Sequence, residues 1–246
     1  MAKGETDMKR YKYLVFDADH TLISYKKDET DALKTLFREL SLNVSDEAIE
    51  WCHSLSEETW TENGLYDVND PRIQKEYHIL YRSHVRGIFE KFFKKYPCER
   101  DPEKVGKRFL QLLCVGGNLF PEAEETLSYL SDRTGGNYPL YVATNGVTDV
   151  QTGRLKSIEK YFRKIYISEQ LNAIKPMRAF FDKLLFDVGA AAEDCLMIGD
   201  SLISDMAGAK AAGIDCCWFS HRGQKNETGL VPDYEILSLF ELNEIL

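Results

Sequence analysis

The feature that most constrains this fold is a set of short apolar runs, each ending abruptly in polar or acidic residues. Five such runs occur, at residues 11–16, 138–143, 164–167, 195–198 and 214–219. Their length and their content of β-branched and aromatic residues are typical of buried strands that lead into loops. We therefore predict a strand at each of the five positions.

Segments of helical length separate these runs from residue 138 onward. We predict helices at residues 149–160, 176–188 and 204–212, with Pro176 in the first turn of its helix and Gly213 at a left-handed C-cap. Strands that alternate with helices form βαβ units, in which helices cover both faces of a parallel sheet. The predicted fold class is therefore α/β, a doubly wound and mostly parallel sheet.

The region between the first two runs has a different pattern. Helical periodicity without a convincing strand predicts helices at residues 28–40, 45–60, 70–96 and 101–113. A segment of this length is too long for a simple crossover connection. We predict an inserted α-helical cap domain at residues 25–113 and an α/β catalytic core at residues 1–24 and 114–246. Gly116 and Gly117 mark the return to the core, and residues 121–131 form the helix before the second strand.

Charge and composition narrow the possible partners. The formal net charge is −9 and no dense basic run occurs, which argues against a nucleic acid polymer as ligand. A small phosphorylated molecule remains compatible, because one lysine and a metal ion can reverse the field locally. No apolar run approaches the roughly 20 residues that span a bilayer, so no membrane association is expected. We leave open whether the protein is a monomer or a small homo-oligomer.

The cysteines and the first residues bear on location. None of the six cysteines forms a C-x-x-C pair, so a zinc site built from thiolates is not expected. Cys216 and Cys217 lie in an apolar run and are interpreted as buried strand residues. Residues 1–10 are polar and charged and lack the apolar stretch of a signal peptide. These features favour a reducing, cytoplasmic location.

Polar side chains follow the predicted strands where a ligand would bind. In an open parallel α/β sheet, ligands bind at the carboxyl ends of the strands. The residues found there are Asp17, Asp19, Thr144, Lys175, Asp200 and Asp205. Each element alone has an ordinary structural explanation, as a helix cap, a turn or a solvated lysine. Their joint order after successive strands indicates one chemical site.

The acidic residues suit phosphoryl transfer with a magnesium ion. Mg²⁺ binds through one or two carboxylates together with phosphate oxygens, and Asp17 and Asp200 can supply those carboxylates. An ionised Asp17 can attack phosphorus to form an aspartyl-phosphate. Asp19 can protonate the leaving oxygen and then activate water. Asp205 lies outside the coordination sphere and can orient a metal-bound water or Lys175.

The remaining candidates would bind the phosphoryl group itself. Thr144 can donate a hydrogen bond to a phosphoryl oxygen, and exposed loop amides at Asn145 and Gly146 can join it. Lys175 supplies positive charge against the oxygens on which charge builds up in the transition state. The predicted activity is therefore a Mg²⁺-dependent phosphohydrolase whose nucleophile is Asp17.

These residues resemble the four motifs of the haloacid dehalogenase-like hydrolase superfamily. The motifs are present as Asp17-Ala18-Asp19-His20-Thr21, Thr144, Lys175, and Gly199-Asp200 with Asp205. The resemblance implies a doubly wound core with a helical cap inserted after the first motif. It also implies that Asp17 is the nucleophile and that Asp17, the Asp19 backbone carbonyl and Asp200 hold Mg²⁺.

A closer resemblance is to the pyrimidine 5′-nucleotidase branch of that superfamily. It rests on Phe16-Asp17-Ala18-Asp19 with Thr21-Leu22, Thr144-Asn145-Gly146-Val147-Thr148, Ile167-Ser168-Glu169, Gly199-Asp200-Ser201 with Ser204-Asp205, and Cys217-Trp218. The resemblance implies hydrolysis of pyrimidine nucleoside monophosphates. It is weakest in the cap, which selects the substrate.

Four alternatives stay open at this point. They are a phosphatase of another small metabolite such as phosphoglycolate or a sugar phosphate, a hexose-phosphate mutase, a metal-independent 2-haloacid dehalogenase and a non-catalytic phosphate-binding module. Dehalogenases of the superfamily lack the second aspartate of the first motif, so Asp19 favours phosphoryl chemistry. No motif carboxylate is missing, which argues against a module without catalysis.

The cap offers aromatic residues with two possible uses. Trp60, Tyr66 and Tyr77 can stack on a base or fill the core of the cap. Phe89, Phe92 and Phe93 have helical spacing and are predicted to be core residues. The three cap histidines, His53, His78 and His84, show no paired spacing for a metal and receive no predicted role.

Overall fold

The computed structural model describes residues 11–132, 139–220, 223 and 225–246. Three sequence predictions fall on other residues. They concern the polar segment 1–10, the first residue of the second predicted strand, Tyr138, and part of the polar end of the fifth run, at residues 221 and 222. These predictions lie outside the described residues.

Six parallel strands form the centre of the fold. They are β1 Tyr13–Phe16, β2 Leu140–Thr144, β3 Phe162–Ile167, β4 Cys195–Gly199, β5 Asp215–Phe219 and β6 Tyr234–Ile236. The order across the sheet is β3-β2-β1-β4-β5-β6, and every neighbouring pair is parallel. This order confirms the doubly wound α/β fold. The strand order reverses between β1 and β4, so a crevice opens at the carboxyl ends of these two strands.

Helices cover both faces of the sheet. They are α5 Ala123–Asp132, α6 Thr148–Arg154, α7 Ser168–Leu171, α8 Arg178–Val188, α9 Ala207–Ala212 and α10 Leu242–Ile245. Alternate strand residues therefore enter two separate cores: Leu14 packs on one side and Val15 on the other. Cys216 and Cys217 divide in the same way and are fully buried, which confirms their interpretation. All six cysteines are free.

The first four helices after β1 form the cap. They are α1 Tyr25–Glu39, α2 Asp46–Glu62, α3 Pro71–Lys95 and α4 Pro102–Leu113. The side chains of Asp70 and Asp101 accept hydrogen bonds from the first amides of α3 and α4, which explains where these helices begin. The helical cap is confirmed, whereas its boundaries at residues 25 and 113 stay a prediction.

Aromatic packing holds the cap together. Phe37 stacks on Phe92 with ring centroids 4.7 Å apart, and Phe89 packs against Phe109. Phe89 and Phe92 are fully buried, and Phe93 packs against the same cluster. The predicted core role of these three residues is therefore confirmed.

Several predicted helix limits are wrong. The helix predicted at 149–160 ends at Arg154, and a 3₁₀ turn follows at Glu159–Tyr161. The helix predicted from Pro176 begins at Arg178, because Asn145 holds both backbone groups of Lys175 and keeps that residue out of the helix. The helix predicted at 204–212 starts as a π-helical turn, Leu202–Met206, while Gly213 does end it in the left-handed region.

Two further differences are a strand that the sequence pattern did not predict and an earlier start of the first cap helix. The strand β6 has three residues, Tyr-Glu-Ile, which is too short a run for periodicity to register. The first cap helix begins at Tyr25, three residues before the predicted Asp28, and this aspartate is buried inside it. In the described part of the chain, no helix combines the length and the apolar character needed to cross a membrane.

Candidate active site

A cleft of about 1030 Å³ opens between the carboxyl ends of the strands and the cap. The structure brings every predicted site residue to this cleft. Its lining on the core side contains Asp17, Asp19, Thr144, Asn145, Lys175, Asp200 and Asp205. Asp17 follows β1, Thr144 ends β2 and Asp200 follows β4, so parallel pairing of adjacent strands places them side by side.

Lys175 lies at the centre of this group and is almost completely buried. Its Nζ donates three hydrogen bonds of 2.6 Å, to Asp17 Oδ1, Asp205 Oδ1 and the backbone carbonyl of Ala143. An ammonium group has three donors, so all of them are satisfied. Burial by itself would lower the pKa of Lys175, but attraction to Asp17 and Asp205 outweighs burial and raises it above the ordinary value. Lys175 is therefore a fixed positive charge beside Asp17.

The carboxylates around Lys175 carry more negative charge than one lysine neutralises. Burial raises the pKa of Asp17 to about 7; Lys175 opposes this effect and repulsion from Asp205 adds to it. Burial and repulsion from Asp17 raise the pKa of Asp200 to about 9. Carboxylates at such short distances repel each other, and binding of a cation or a proton reduces this repulsion.

The geometry of these carboxylates fits a hard divalent cation. One oxygen from each of Asp17, Asp200 and Asp205 lies within 4.8 Å of the others. Oxygen donors of this kind suit Mg²⁺. Both oxygens of Asp205 already accept hydrogen bonds, Oδ1 from Lys175 and Oδ2 from the Ser201 amide at 3.1 Å. All three carboxylates are therefore candidates to hold the ion, and the bond from Lys175 to Asp205 also fixes the position of the lysine.

The loop after β2 differs in part from the prediction. The Thr144 hydroxyl is buried and accepts a hydrogen bond of 2.6 Å from Gln151 Nε2. The Asn145 side chain bonds to both backbone groups of Lys175, at 2.9 and 2.8 Å. The Gly146 amide donates to Ser168 Oγ at 3.0 Å. The expectation of an exposed Gly146 amide is therefore wrong, because a buried hydroxyl from α7 already occupies it.

The Asp19 carboxylate lines the same cleft but lies outside the group of three carboxylates that could hold a metal. It accepts a hydrogen bond of 2.9 Å from Gln151 Nε2 and forms an ion pair with Arg154. The prediction that its backbone carbonyl binds the ion stays a prediction. Sequence reasoning missed both Gln151 and Arg154, which share one face of α6. Their three-residue spacing was the only available signal, and it is common in helices.

The cap wall of the cleft is aromatic. The Trp60 ring meets Tyr77, Tyr81 and His84 edge-on, with centroids 5.3–6.3 Å apart. Tyr77 is buried in a small apolar cluster that joins the cap to Ile174 of the core, and it also lines the cleft. Its packing role is therefore observed, and its stacking on a base stays a prediction. Tyr66 is largely exposed at the cleft.

Each cap histidine has a polar partner. His53 Nδ1 lies 2.7 Å from Glu29 Oε2, and this nearly buried pair lines the cleft. His84 Nδ1 lies 2.8 Å from the Thr59 hydroxyl, and burial lowers the pKa of His84 to about 4, so this ring is neutral at physiological pH. The pair of Glu29 and His53 was not anticipated from the sequence.

The third histidine belongs to a contact between cap and core. His78 Nε2 on α3 lies 2.9 Å from Ser168 Oγ on α7, and Arg82 pairs with Glu169 at 2.7 Å. Glu169 also accepts from the Thr148 amide at the start of α6. The cap helix α3 therefore contacts α7, and α7 in turn bonds to the loop after β2 and to the start of α6.

The fold and the site together define a class of enzyme. The chain belongs to the haloacid dehalogenase-like hydrolase family, whose model matches residues 11–213. This confirms the resemblance drawn from the motifs, and with it the assignment as a hydrolase of phosphoric monoesters.

Particular relatives refine that assignment. The chain is 33% identical over 239 residues to pyrimidine 5′-nucleotidase PynA of Streptococcus pneumoniae, covering 96% of this chain and 95% of that protein. It is 25% identical to pyrimidine 5′-nucleotidase YjjG of Escherichia coli, covering 96% and 98%. A magnesium-bound crystal structure of the HAD-hydrolase YfnB from Bacillus subtilis superimposes with a TM-score of 0.82 at 28% identity, covering 97% and 99%.

Proposed function

We propose that this enzyme is a Mg²⁺-dependent 5′-nucleotidase that hydrolyses pyrimidine nucleoside monophosphates through an aspartyl-phosphate intermediate. The observation that carries the proposal is the arrangement of Asp200 beside the buried pair of Asp17 and Lys175, at the base of a cleft with an aromatic wall. The similarity to two pyrimidine 5′-nucleotidases supports the choice of substrate.

The proposed reaction begins at Asp17. One carboxylate oxygen attacks phosphorus, the bond from phosphorus to the ribose O5′ breaks, and its electron pair stays on O5′. The Asp19 carboxylic acid gives its proton to that oxygen. Asp19 then takes a proton from water as the water oxygen attacks the aspartyl-phosphate. The bond from phosphorus to the Asp17 oxygen breaks and its electron pair returns to the Asp17 carboxylate. Inorganic phosphate leaves, and both aspartates are again in their starting forms.

The residues around Asp17 prepare it for attack. Thr21 Oγ1 donates to Asp17 Oδ2 at 3.2 Å and Lys175 holds Oδ1, so the carboxylate orientation is set before substrate arrives. Mg²⁺ held by Asp17 and Asp200 would keep Asp17 ionised and offset charge on the phosphoryl oxygens. Because all three Nζ donors of Lys175 have protein partners, its charge assists the reaction without a direct bond to phosphate.

The cleft also fits a substrate larger than phosphate alone. Small-molecule sites occupy about 300–1000 Å³, and this cleft is about 1030 Å³. Its cap side presents Trp60, Tyr77 and Tyr81, whose rings offer stacking surface for a planar base. A nucleoside monophosphate would place its phosphate at Asp17 and its base toward this wall.

A phosphatase screen tests the proposal. The purified enzyme is assayed with Mg²⁺ on nucleoside monophosphates, phosphoglycolate and sugar phosphates, with and without a chelator. We expect pyrimidine monophosphates to give the highest kcat/KM, chelation to abolish turnover and Asp17→Asn to be inactive. A preference for a sugar phosphate would refute the substrate. Activity that survives Asp17→Asn would refute the mechanism. Halide release from a 2-haloacid, assayed beside these substrates in chelator, would indicate a dehalogenase.

The same proposal includes a cytoplasmic location. Its support is that all six cysteines are free and four of them are buried, as is common for proteins in a reducing compartment. Fractionation of cells that produce the protein tests this point, and recovery with secreted proteins would contradict it.

A further inference from the structure

A buried ionic bridge runs from Asp19 to the first helix of the cap. The Arg154 side chain at the end of α6 is inaccessible to solvent and contacts two carboxylates. One belongs to Asp19 after β1, and the other to Asp28 inside α1, whose Oδ2 accepts from Arg154 Nε at 2.7 Å. Arg154 therefore joins the acidic loop of the core to the cap.

Asp28 continues the bridge to the point where the chain returns from the cap. We call residues 116–118 the return segment. Asp28 Oδ1 accepts hydrogen bonds from the Gly117 amide at 2.9 Å, the Asn118 amide at 2.8 Å and Asn118 Nδ2 at 2.7 Å. Its two oxygens are thus divided, one toward the return segment and one toward Arg154.

The return segment and the bridge are packed too closely for other residues. A Cβ on Gly116 would lie 2.7 Å from Asp28 Cγ, and one on Gly117 would lie 2.5 Å from the Arg154 carbonyl oxygen. Gly117 also has a φ of 109°, which disfavours any side chain. The bridge and the return segment therefore form one closely packed unit.

The fully buried ion pair is the one between Arg154 and Asp28, since neither side chain is accessible to solvent. Removing either partner alone would leave the other charge buried without compensation, which is strongly destabilising. Arg154 Nη1 also donates to Gln151 Oε1 at 3.1 Å, while Gln151 Nε2 bonds to Asp19. Arg154 and Gln151 together therefore hold both oxygens of Asp19.

We propose that Arg154 is a positioning residue, which sets the orientation of the Asp19 carboxyl group and couples it to the cap through Asp28 and the return segment. This inference rests on the proposed role of Asp19 as general acid. Its consequence is that a change at the base of the cap alters the proton transfer made by Asp19, although Asp28 never touches the substrate.

The readout is the dependence of rate on the leaving group. Expulsion of a ribose alkoxide needs a proton from Asp19, whereas 4-nitrophenolate is stable without one. Loss of a positioned general acid therefore lowers kcat/KM for a nucleoside monophosphate more than for 4-nitrophenyl phosphate. A defect in folding or in phosphate binding lowers both values by the same factor.

The experiment compares variants with both substrates in saturating Mg²⁺. Asp19→Asn gives the reference, with an expected loss of about 10²–10⁴-fold on the nucleotide. Arg154→Met is combined with Asp28→Asn, so that no buried charge is left unpaired. We expect this double variant to lose at least about tenfold more on the nucleotide than on 4-nitrophenyl phosphate. Arg154→Lys keeps the charge but not the forked geometry, and should recover part of the difference.

Arg108→Met is the matched control, because Arg108 also pairs with a carboxylate of α1, Glu39, but on the outer surface of the cap. We expect its two kcat/KM values to equal those of the wild type.

The outcomes distinguish failure of the positioning role of Arg154 from failure of the general-acid role of Asp19. Equal losses on both substrates for the Arg154 variants overturn the inference, while a selective loss in Asp19→Asn still supports the general acid. A loss in Asp19→Asn that is the same for both substrates overturns the role of Asp19 itself. Thermal unfolding checks every variant. If the double variant does not fold, Arg154→Lys carries the test, and an unselective loss there also overturns the inference.

Discussion

Replacing Lys175 with methionine tests the electrostatic basis of the site. The Lys175 ammonium is 1% exposed and lies 2.6 Å from carboxylate oxygens of Asp17 and Asp205. Methionine is similar in length and fills irregular spaces well. The substitution therefore removes the charge and its three hydrogen bonds with little change in packed volume.

The expected destabilisation follows from the burial of this group. Removing one partner of a buried ion pair costs about 3–5 kcal/mol, because the remaining charge loses its compensation without regaining water. For a protein of this size, 1 kcal/mol corresponds to about 2–4 °C in Tm. The Tm of the metal-free variant should therefore fall by roughly 6–20 °C.

The assay is urea unfolding at pH 7 in the presence of a chelator, repeated with Mg²⁺. Lys210→Met is the matched control, because Lys210 pairs with Asp233 at 3.1 Å where both side chains are about one-third exposed; its cost should be about 1 kcal/mol or less. Mg²⁺ should recover part of the stability lost in Lys175→Met, since it neutralises the same carboxylates. Adding Asp17→Asn should also recover part of it.

One result would refute this reasoning. If Lys175→Met costs no more than Lys210→Met in chelator, the buried lysine is not what makes the acidic group tolerable in the folded protein. An equal response of both variants to Mg²⁺ would lead to the same conclusion.

Three further predictions test other parts of the structure. The pKa values of Asp17 (about 7) and Asp200 (about 9) lie above the ordinary value of 3.8. The folded metal-free protein therefore holds protons that the unfolded chain has lost at the same pH. Its unfolding free energy should fall as pH rises from about 4 to 9, by up to about 1.4 kcal/mol per pH unit for each carboxylate. Urea titrations across that range check this, saturating Mg²⁺ should flatten the slope, and a rise in metal-free stability would contradict it. Arg82→Ala removes the ion pair between Arg82 of the cap and Glu169 of the core and should change stability by less than about 1 kcal/mol. It should raise KM, because the cap is then held less firmly over the cleft. An unchanged KM in steady-state kinetics would argue against a role of this ion pair in substrate binding. Phe92→Ala empties a fully buried position in the cap and should cost about 3–5 kcal/mol, measured by urea unfolding, and a cost below about 1 kcal/mol would mean that the cap core is not close-packed there.

The sequence was sufficient to predict the sheet and the set of residues at its edge. Short apolar runs that end in Asp17, Thr144 and Asp200 must bury their strands and expose their ends, and parallel pairing then brings those ends together. The position of Lys175 followed from the family motif. Local periodicity also predicted the four cap helices, because each has its own apolar face.

Other parts of the site depended on contacts between elements distant in the chain. Arg154 and Gln151 look like ordinary helix residues until α6 packs beneath Asp19 and Asp28, which lie more than a hundred residues earlier. The Gly146 amide looked exposed until α7 placed Ser168 against it. Sequence spacing predicts which residues are neighbours within one helix or strand. The partners of buried charges and amides depend instead on how helices and strands pack against each other. The residues of the site could therefore be read from the chain, but the bonds that orient them were decided by the tertiary structure.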